Sequence, residues 1–366
     1  MHIAIKTSLK DITPYQQGQG EIEGVAEPIK LSSNELPYPP SPAAVAAFHA
    51  TEVDLARYPD GNQTALRQAI AKLHSIPQAN IFAGNGSEEA IGLVIRSMLT
   101  QGNNMIVSQN SFMMAEIYAR SIGVDVIKCA ETDHRVDIDN MLAAVNEHTR
   151  MVYICSPNNP TGTYTNIDEL KRLEASLDEH IILLVDAAYA EFVTQSDYDS
   201  GLKSLFKPDG RVVVTRTFSK AYGLAALRIG WAAAPNPVIE AVSRLRTPFN
   251  TNSAALNAAT AALLDQDYLN QTVTKVNTTR NQFSDQLQAL GLTLVPSEAN
   301  FVLITFAAGG QQAQSLNQAL QQAGILGRPV SGDSNEFRIS IGTEEEMTYT
   351  IQVIKLWVEQ TFSENN

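Results

Sequence analysis

The chain has little cysteine: Cys129 and Cys155 are the only two in 366 residues. Two are too few for a disulfide framework and fit a reducing compartment. Its six histidines lie far apart, with no pair at metal-ligand spacing, which argues against a metal site. Positive charge is also scarce, with 26 Lys and Arg against 39 Asp and Glu and a net charge of −13. Nucleic acid and anionic membrane each need a basic face, so neither is an expected partner. A local arginine cluster can still hold an anionic small molecule. No apolar run approaches the roughly eighteen residues that cross a bilayer. Residues 1–19 carry Lys6 and Lys10 but lack the apolar centre of a signal peptide. A soluble, cytoplasmic protein is expected.

What remains is globular in composition, 44% hydrophobic and 18% charged, and long enough for two domains. Residues 1–40 are rich in Gln, Gly and Pro and read as an extended arm. Apolar spacing predicts helices over 64–73, 90–99, 112–122, 138–146 and 167–177. Short apolar runs predict strands at 105–108, 124–128, 151–155, 181–185, 211–216 and 229–233. This alternation argues for an α/β domain with a largely parallel sheet, over 41–252. The composition shifts after Pro248-Phe249-Asn250. There a helical stretch over 254–290, broken at 265–270, precedes β-like runs at 301–306 and 336–341. A smaller α+β domain over 253–366 is expected.

In open parallel sheets, ligands collect at the carboxyl ends of the strands. Three predicted strands end in polar chemistry. The run 212–214 leads to Thr217-Phe218-Ser219-Lys220, with Arg228 a little further on. Hydroxyls and a guanidinium suit a phosphate, and a lysine beside them suits a carbonyl held covalently. Pyridoxal 5′-phosphate carries both groups on one small ring, and on this reading Lys220 is its Schiff-base lysine. Asp186 ends a second strand. A carboxylate in an apolar place needs a partner, and a protonated pyridine nitrogen is one. Capping of the next helix is the plainer alternative for Asp186. Beyond the third strand stands Asn158-Asn159-Pro160. Asn159, with Tyr189, is a candidate donor to the ring's phenolate oxygen, or else part of an ordinary turn.

Other residues divide in the same way. Gly84-Asn85-Gly86-Ser87-Glu88 opens a helix whose free N–H groups suit an anion or serve a plain N-cap. Phe112 either stacks on the ring or belongs to the core. Arg228 is a second anion ligand or a surface ion pair. Arg338, inside an apolar strand, suits bidentate capture of a substrate carboxylate, whereas Arg328 lies on a loop.

Together, Asn158-Asn159-Pro160-Thr161-Gly162, Asp186-Ala187-Ala188-Tyr189 and Ser219-Lys220 through Arg228 resemble the fold-type-I aminotransferases. The closer resemblance is to the histidinol-phosphate aminotransferases. Leu31-Ser32-Ser33-Asn34-Glu35, Arg57-Tyr58-Pro59-Asp60-Gly61 and Pro296-Ser297-Glu298-Ala299-Asn300-Phe301 support it, in the expected order along nearly the whole chain.

The resemblance implies a mostly parallel seven-stranded sheet with helices on both faces. It also implies a homodimer in which Tyr58 reaches the neighbouring subunit's cofactor phosphate. Ser87, Glu88 through its backbone, Thr217, Ser219 and Arg228 become phosphate ligands, with Phe112 stacked on the ring. Arg338 would bind the carboxylate, and Tyr15, Asn34 and Arg328 would line the other substrate end. The family usually has Asp-Glu-Ala-Tyr at 186–189 and often Asn-Glu-Asn-Pro at 34–37, where this chain has Ala187 and Leu36. The ring-stacking position is commonly Tyr. None of these differences removes a catalytic group.

The expected reaction is a ping-pong transamination between histidinol phosphate and 2-oxoglutarate or glutamate, with Lys220, Asp186 and Tyr189 as catalytic residues. Two enzyme alternatives share the residues: an aromatic amino-acid transaminase and a decarboxylase of an amino-acid phosphate. A pyridoxal-phosphate-sensing regulator is a third, disfavoured by the acidic charge.

Overall fold

The computed structural model describes residues 5–51, 56–307, 311–330 and 335–363. The first four residues of the expected arm and the last three of the chain lie outside them. The N-terminal half comprises β1 (Ile29–Lys30), α1 (Pro42–His49), α2 (Thr64–His74), β2 (Ile81–Gly84), α3 (Gly86–Met98) and β3 (Asn104–Ser108), then α4 (Met113–Ser121) and β4 (Asp125–Cys129). There follow α5 (Ile138–Ala143), β5 (Thr149–Cys155), α6 (Ile167–Ser176), β6 (Ile182–Asp186), β7 (Val212–Thr217), β8 (Gly230–Ala233) and α7 (Asn236–Leu245). The remainder is α8 (Ser253–Leu264), α9 (Gln266–Ala289), β9 (Thr293–Val295), β10 (Phe301–Thr305), α10 (Gln311–Gln322), β11 (Ile325–Leu326), β12 (Arg328–Pro329), β13 (Glu336–Ser340) and α11 (Glu344–Ser363).

Seven strands form the large sheet in the order β2-β8-β7-β6-β5-β3-β4, and only β8 runs antiparallel to its neighbours. The expected α/β fold with a mostly parallel seven-stranded sheet is therefore what the chain adopts. Alternate residues of β5 enter different cores: Val152 and Ile154 on one face, Met151, Tyr153 and Cys155 on the other. Helices α3, α4 and α7 cover the second face, and α2, α5, α6 and α8 contribute to the first. A sheet covered on both faces needs near-continuous apolar strands, which is why the runs were legible.

Three details differ from expectation. Helix α3 begins at Gly86, four residues before the periodicity suggests, because the Glu89 carboxylate reaches back to accept from the Asn85 backbone N–H. The break expected over 265–270 is confined to Asp265, whose carboxylate caps α9 by accepting from the Tyr268 N–H. The arm is neither extended throughout, since Thr7–Leu9 form a 3-10 turn, nor free of packing. Its end forms β1, which pairs in parallel with β11 and leads into buried Leu31. The antiparallel sheet is β12-β13-β10-β9, and β11 falls between its strands β10 and β12 in sequence. Among the described residues no helix is long and apolar enough to cross a membrane.

Candidate active site

Strands β5, β6 and β7 are parallel neighbours, and their last residues are Cys155, Asp186 and Thr217. A cavity of about 300 Å³ opens at that edge, bordered by Asp186, Tyr189, Lys220, Arg228 and Arg338. An outer chamber of about 620 Å³ shares Tyr15, Phe112, Asn159, Arg328 and Arg338 with it.

The sheet register decides the surroundings of Asp186. It lies opposite Cys155 on one side and Thr215 on the other. Side chains two apart share a face, so Tyr153, Asp186 and Thr215 meet. Tyr153 Oη donates to Oδ2 at 3.0 Å and Thr215 Oγ1 donates to Oδ1 at 3.0 Å. Burial pushes the Asp186 carboxyl up to about 6, while the two hydroxyls, the Ala188 N–H and Lys220 pull against it. Asp186 does not cap a helix: the next helical turn, Ala190–Phe192, has no side-chain cap.

Lys220 is solvated differently. Its Nζ donates to the Ser33 carbonyl at 3.1 Å and sits 5.7 Å from the centre of the Tyr189 ring. Burial above all, then the positive charges of Arg338 and Arg228, bring the amine down to about 7, with Glu35 and Asp186 opposing. An amine that is partly neutral near pH 7 can act as a nucleophile or base.

Across the cavity lies an anion cradle. Gly86 opens α3 with φ +81°, and a Cβ there would stand 2.8 Å from Arg228 Nη2. Only glycine lets the guanidinium come this close to the helix N-terminus. Arg228 Nη1 donates to Ser219 Oγ at 3.2 Å, and the Ser219 N–H donates to Thr217 Oγ1 at 3.1 Å. Backbone N–H groups, hydroxyls and a guanidinium fit a phosphate. The Glu88 side chain accepts from Tyr118 Oη, which leaves its backbone for the cradle.

Arg338, only 6% exposed, donates through Nη1 to Asn159 Oδ1 at 2.6 Å and through Nη2 to the Ser32 carbonyl at 2.8 Å. Its buried Nε has no partner, and burial lowers its basicity to about 10. With Asn159 Oδ1 taken, the amide keeps its N–H groups for the cavity. Arg328 pairs with Arg338 across β12 and β13, covers the Tyr15 ring at 5.7 Å and donates to the Gln16 carbonyl. It is thus in a short strand at the cavity rather than on a loop. Phe112, half-buried at the head of α4, borders both chambers.

Other residues stand apart from the cavity or are engaged by protein. Tyr58 is 82% exposed, stacks on Phe249 at 4.7 Å and borders neither chamber. Arg211 and Arg216, which flank the lysine strand, are engaged by Glu174 and Glu191. Asn34 borders the cavity but is 1% exposed, with its amide spent on Tyr189 and Ser340.

Residues 26–354 match the family described as aminotransferase class I and II. The chain is a class I and II aminotransferase. The histidinol-phosphate aminotransferase of Rhodospirillum centenum is 40% identical over 351 residues, 95% of this chain and 97% of that protein. That of Maricaulis maris is 39% identical over 362 residues, 98% of this chain and all of its relative. Among solved structures, the histidinol-phosphate aminotransferase of Sinorhizobium meliloti in complex with pyridoxal-5′-phosphate matches with a TM-score of 0.89 at 25% identity. The match covers 98% of this chain and 99% of that one.

Several contacts of this aminotransferase escaped the sequence reading. Ser32 and Ser33 act through carbonyls, which side-chain identity does not advertise. Tyr153 and Thr215 carried a signal: a phenol and a hydroxyl inside buried apolar runs must find partners. The aminotransferase is acidic overall, yet Lys30, Lys220, Arg228, Arg328 and Arg338 border this one cavity. Its local field favours anions.

Proposed function

We propose that this aminotransferase moves an amino group between histidinol phosphate and 2-oxoglutarate or glutamate, with pyridoxal 5′-phosphate as cofactor. The observation that carries the reading is the convergence of a partly neutral lysine, a buried carboxylate and an anion cradle on one cavity. Ser87 and Glu88 through the head of α3, with Thr217, Ser219 and Arg228, would hold the cofactor phosphate. Asp186 would face the ring nitrogen, Asn159 and Tyr189 the phenolate oxygen, Phe112 the ring face, and Lys220 the carbonyl carbon. Bound there, pyridoxal phosphate supplies a conjugated ring that accepts the electron pair left when a substrate carbon loses its proton.

The protein's share of the chemistry follows. Asp186, ionised near pH 7, keeps a proton on the ring nitrogen. Lys220 as a free amine takes the proton from the substrate Cα and returns it on the far side of the transfer. Arg338 binds the carboxylate of glutamate or 2-oxoglutarate through the Nη N–H groups that Asn159 and Ser32 leave free. Arg328, with Tyr15 and Asn34 along the same wall, faces the other substrate end, where a phosphate suits a guanidinium.

The names of the relatives at 39–40% identity support histidinol phosphate over an aromatic amino acid. The same reading divides the chain into an arm to residue 40, a large domain to 252 and a smaller one beyond. It takes the protein as a cytoplasmic homodimer, in keeping with two buried free cysteines. Exposed Tyr58 is then the residue sent to a second subunit's cofactor phosphate.

The test is an absorbance spectrum of purified protein with added pyridoxal phosphate, before and after Lys220→Ala. A band near the visible edge that the variant lacks is expected, and its absence from the native protein sinks the reading. Turnover of histidinol phosphate with 2-oxoglutarate, set against phenylalanine, decides the substrate.

A further inference from the structure

Asn34 sits where substrate contact was expected, but its bonds point to another task. Its Nδ2 donates to Tyr189 Oη at 3.0 Å, and its Oδ1 accepts from Ser340 Oγ at 2.9 Å. The neighbours fix which end of the amide faces which way. The Asn34 backbone N–H, which can only donate, reaches Ser340 Oγ at 2.8 Å. Ser340 accepts there and gives its own proton to Oδ1, so Nδ2 is left facing Tyr189. Tyr189 Oη accepts that N–H and keeps its own proton for another acceptor. Among the described residues it donates to none, and Tyr189 borders the cavity.

The backbone around Asn34 is equally determined. It adopts φ +54°, in the left-handed region that asparagine tolerates, and its carbonyl accepts from Asn300 Nδ2 at 3.1 Å. Ser340 stands two residues after Arg338 on β13, so both side chains share one face of that strand. One strand therefore supplies both the carboxylate-binding arginine and the far end of the hydrogen-bond chain.

We propose that Ser340 and Asn34 form a relay that turns the Tyr189 hydroxyl proton into the cavity, so that Asn34 is a positioning residue for Tyr189. The inference rests on the function proposed above, in which Tyr189 donates to the cofactor's phenolate oxygen. A phenol whose oxygen already accepts an N–H is a stronger donor. Donation to an anion favours the anion, so the intact relay lowers the pH at which the bound cofactor's visible band titrates.

The experiment is a spectrophotometric pH titration of the holoenzyme and its variants Tyr189→Phe, Asn34→Asp, Ser340→Ala and the Tyr189→Phe/Asn34→Asp pair. Asn34→Asp keeps the shape but presents an acceptor, which draws the phenol proton away from the cavity. Tyr189→Phe and Asn34→Asp are each expected to raise the titration by about one pH unit, tenfold in the protonation constant. The new carboxylate also acts through space, and that part persists without the phenol. The relay therefore predicts a smaller shift from Asn34→Asp in the Tyr189→Phe background than in the native one. Equal shifts in both backgrounds overturn it. Ser340→Ala frees the amide to turn over and should raise the titration in the same direction by less. A Ser340→Ala curve that superimposes on the native one also overturns the relay, even if Asn34→Asp does not fold. No visible band in the native protein would instead defeat the functional reading itself.

Discussion

Asp186, buried at the end of β6, and Lys220, half-buried just past the end of β7, carry opposite charges, and the protein treats them oppositely. Asp186 receives a hydroxyl on each oxygen, from Tyr153 and Thr215. Lys220 receives one carbonyl and stands near two arginines that repel its proton. The carboxyl, pushed up to about 6, is still mostly ionised at pH 7, whereas the amine, brought down to about 7, is divided between its two forms. Burial acts on both. What separates them is how many donors or acceptors the sheet supplies in compensation. One group is kept mostly charged, and the other is kept ready to give its proton up.

Removing the lysine breaks the comparison most severely. Lys220→Met should lower turnover by at least a factor on the order of 10⁴. The same change should stabilise the cofactor-free protein, raising Tm by about 2 °C or more. This second effect depends on pH. The lysine's depressed basicity means the unfolded chain binds its proton more tightly, so the native fold carries the full penalty below about pH 7 and sheds it as pH rises toward 10.5. The raised Asp186 carboxyl works the other way: stability falls as pH rises from 3.8 through about 6. Both penalties are full between about pH 6 and 7. Calorimetry of the apo-protein should therefore show the variant's advantage below pH 7 and its disappearance toward pH 10.5. A constant advantage contradicts the pKa assignment.

Asp186→Asn comes next. On the proposed function, loss of the charge that faces the ring nitrogen costs about 3–5 kcal/mol, on the order of 10²–10⁴-fold in kcat. Full activity in this variant would remove Asp186 from the mechanism. The subtlest changes sharpen the comparison without deleting either charge. Tyr153→Phe and Thr215→Val each withdraw one charge-assisted hydrogen bond, worth about 1.5–3 kcal/mol. Each should move the acid limb of the kcat/KM profile upward by about one to two pH units. A limb that stays in place would mean that the hydroxyls only pack.

Much of this is legible in the sequence. The runs ending at Cys155, Asp186 and Thr217 were readable because strands buried on both faces are apolar throughout, so a polar residue at their ends stands out. Gly86 was readable as part of a helix opening, although not as the one residue that admits Arg228. The two-residue strand β1 was not readable, because its pairing with β11 depends on a segment far along the chain. Nor was the assignment of Asn34. An asparagine in a polar motif looks the same whether its amide meets a substrate or a tyrosine.

By itself, then, the sequence determined which chemical groups stand at the carboxyl ends of which strands, because local apolar patterning dictates where a strand stops. It also determined that a lysine, an aspartate and hydroxyls would be among them. Only the tertiary structure decided what surrounds those groups and how acidic they are. The register of β5, β6 and β7 set two hydroxyls against Asp186, and the returning arm set Ser33 against Lys220 and Asn34 against Tyr189. The shifts in acidity belong to that arrangement, since burial and hydrogen-bond partners are properties of packing and no residue carries them in its name.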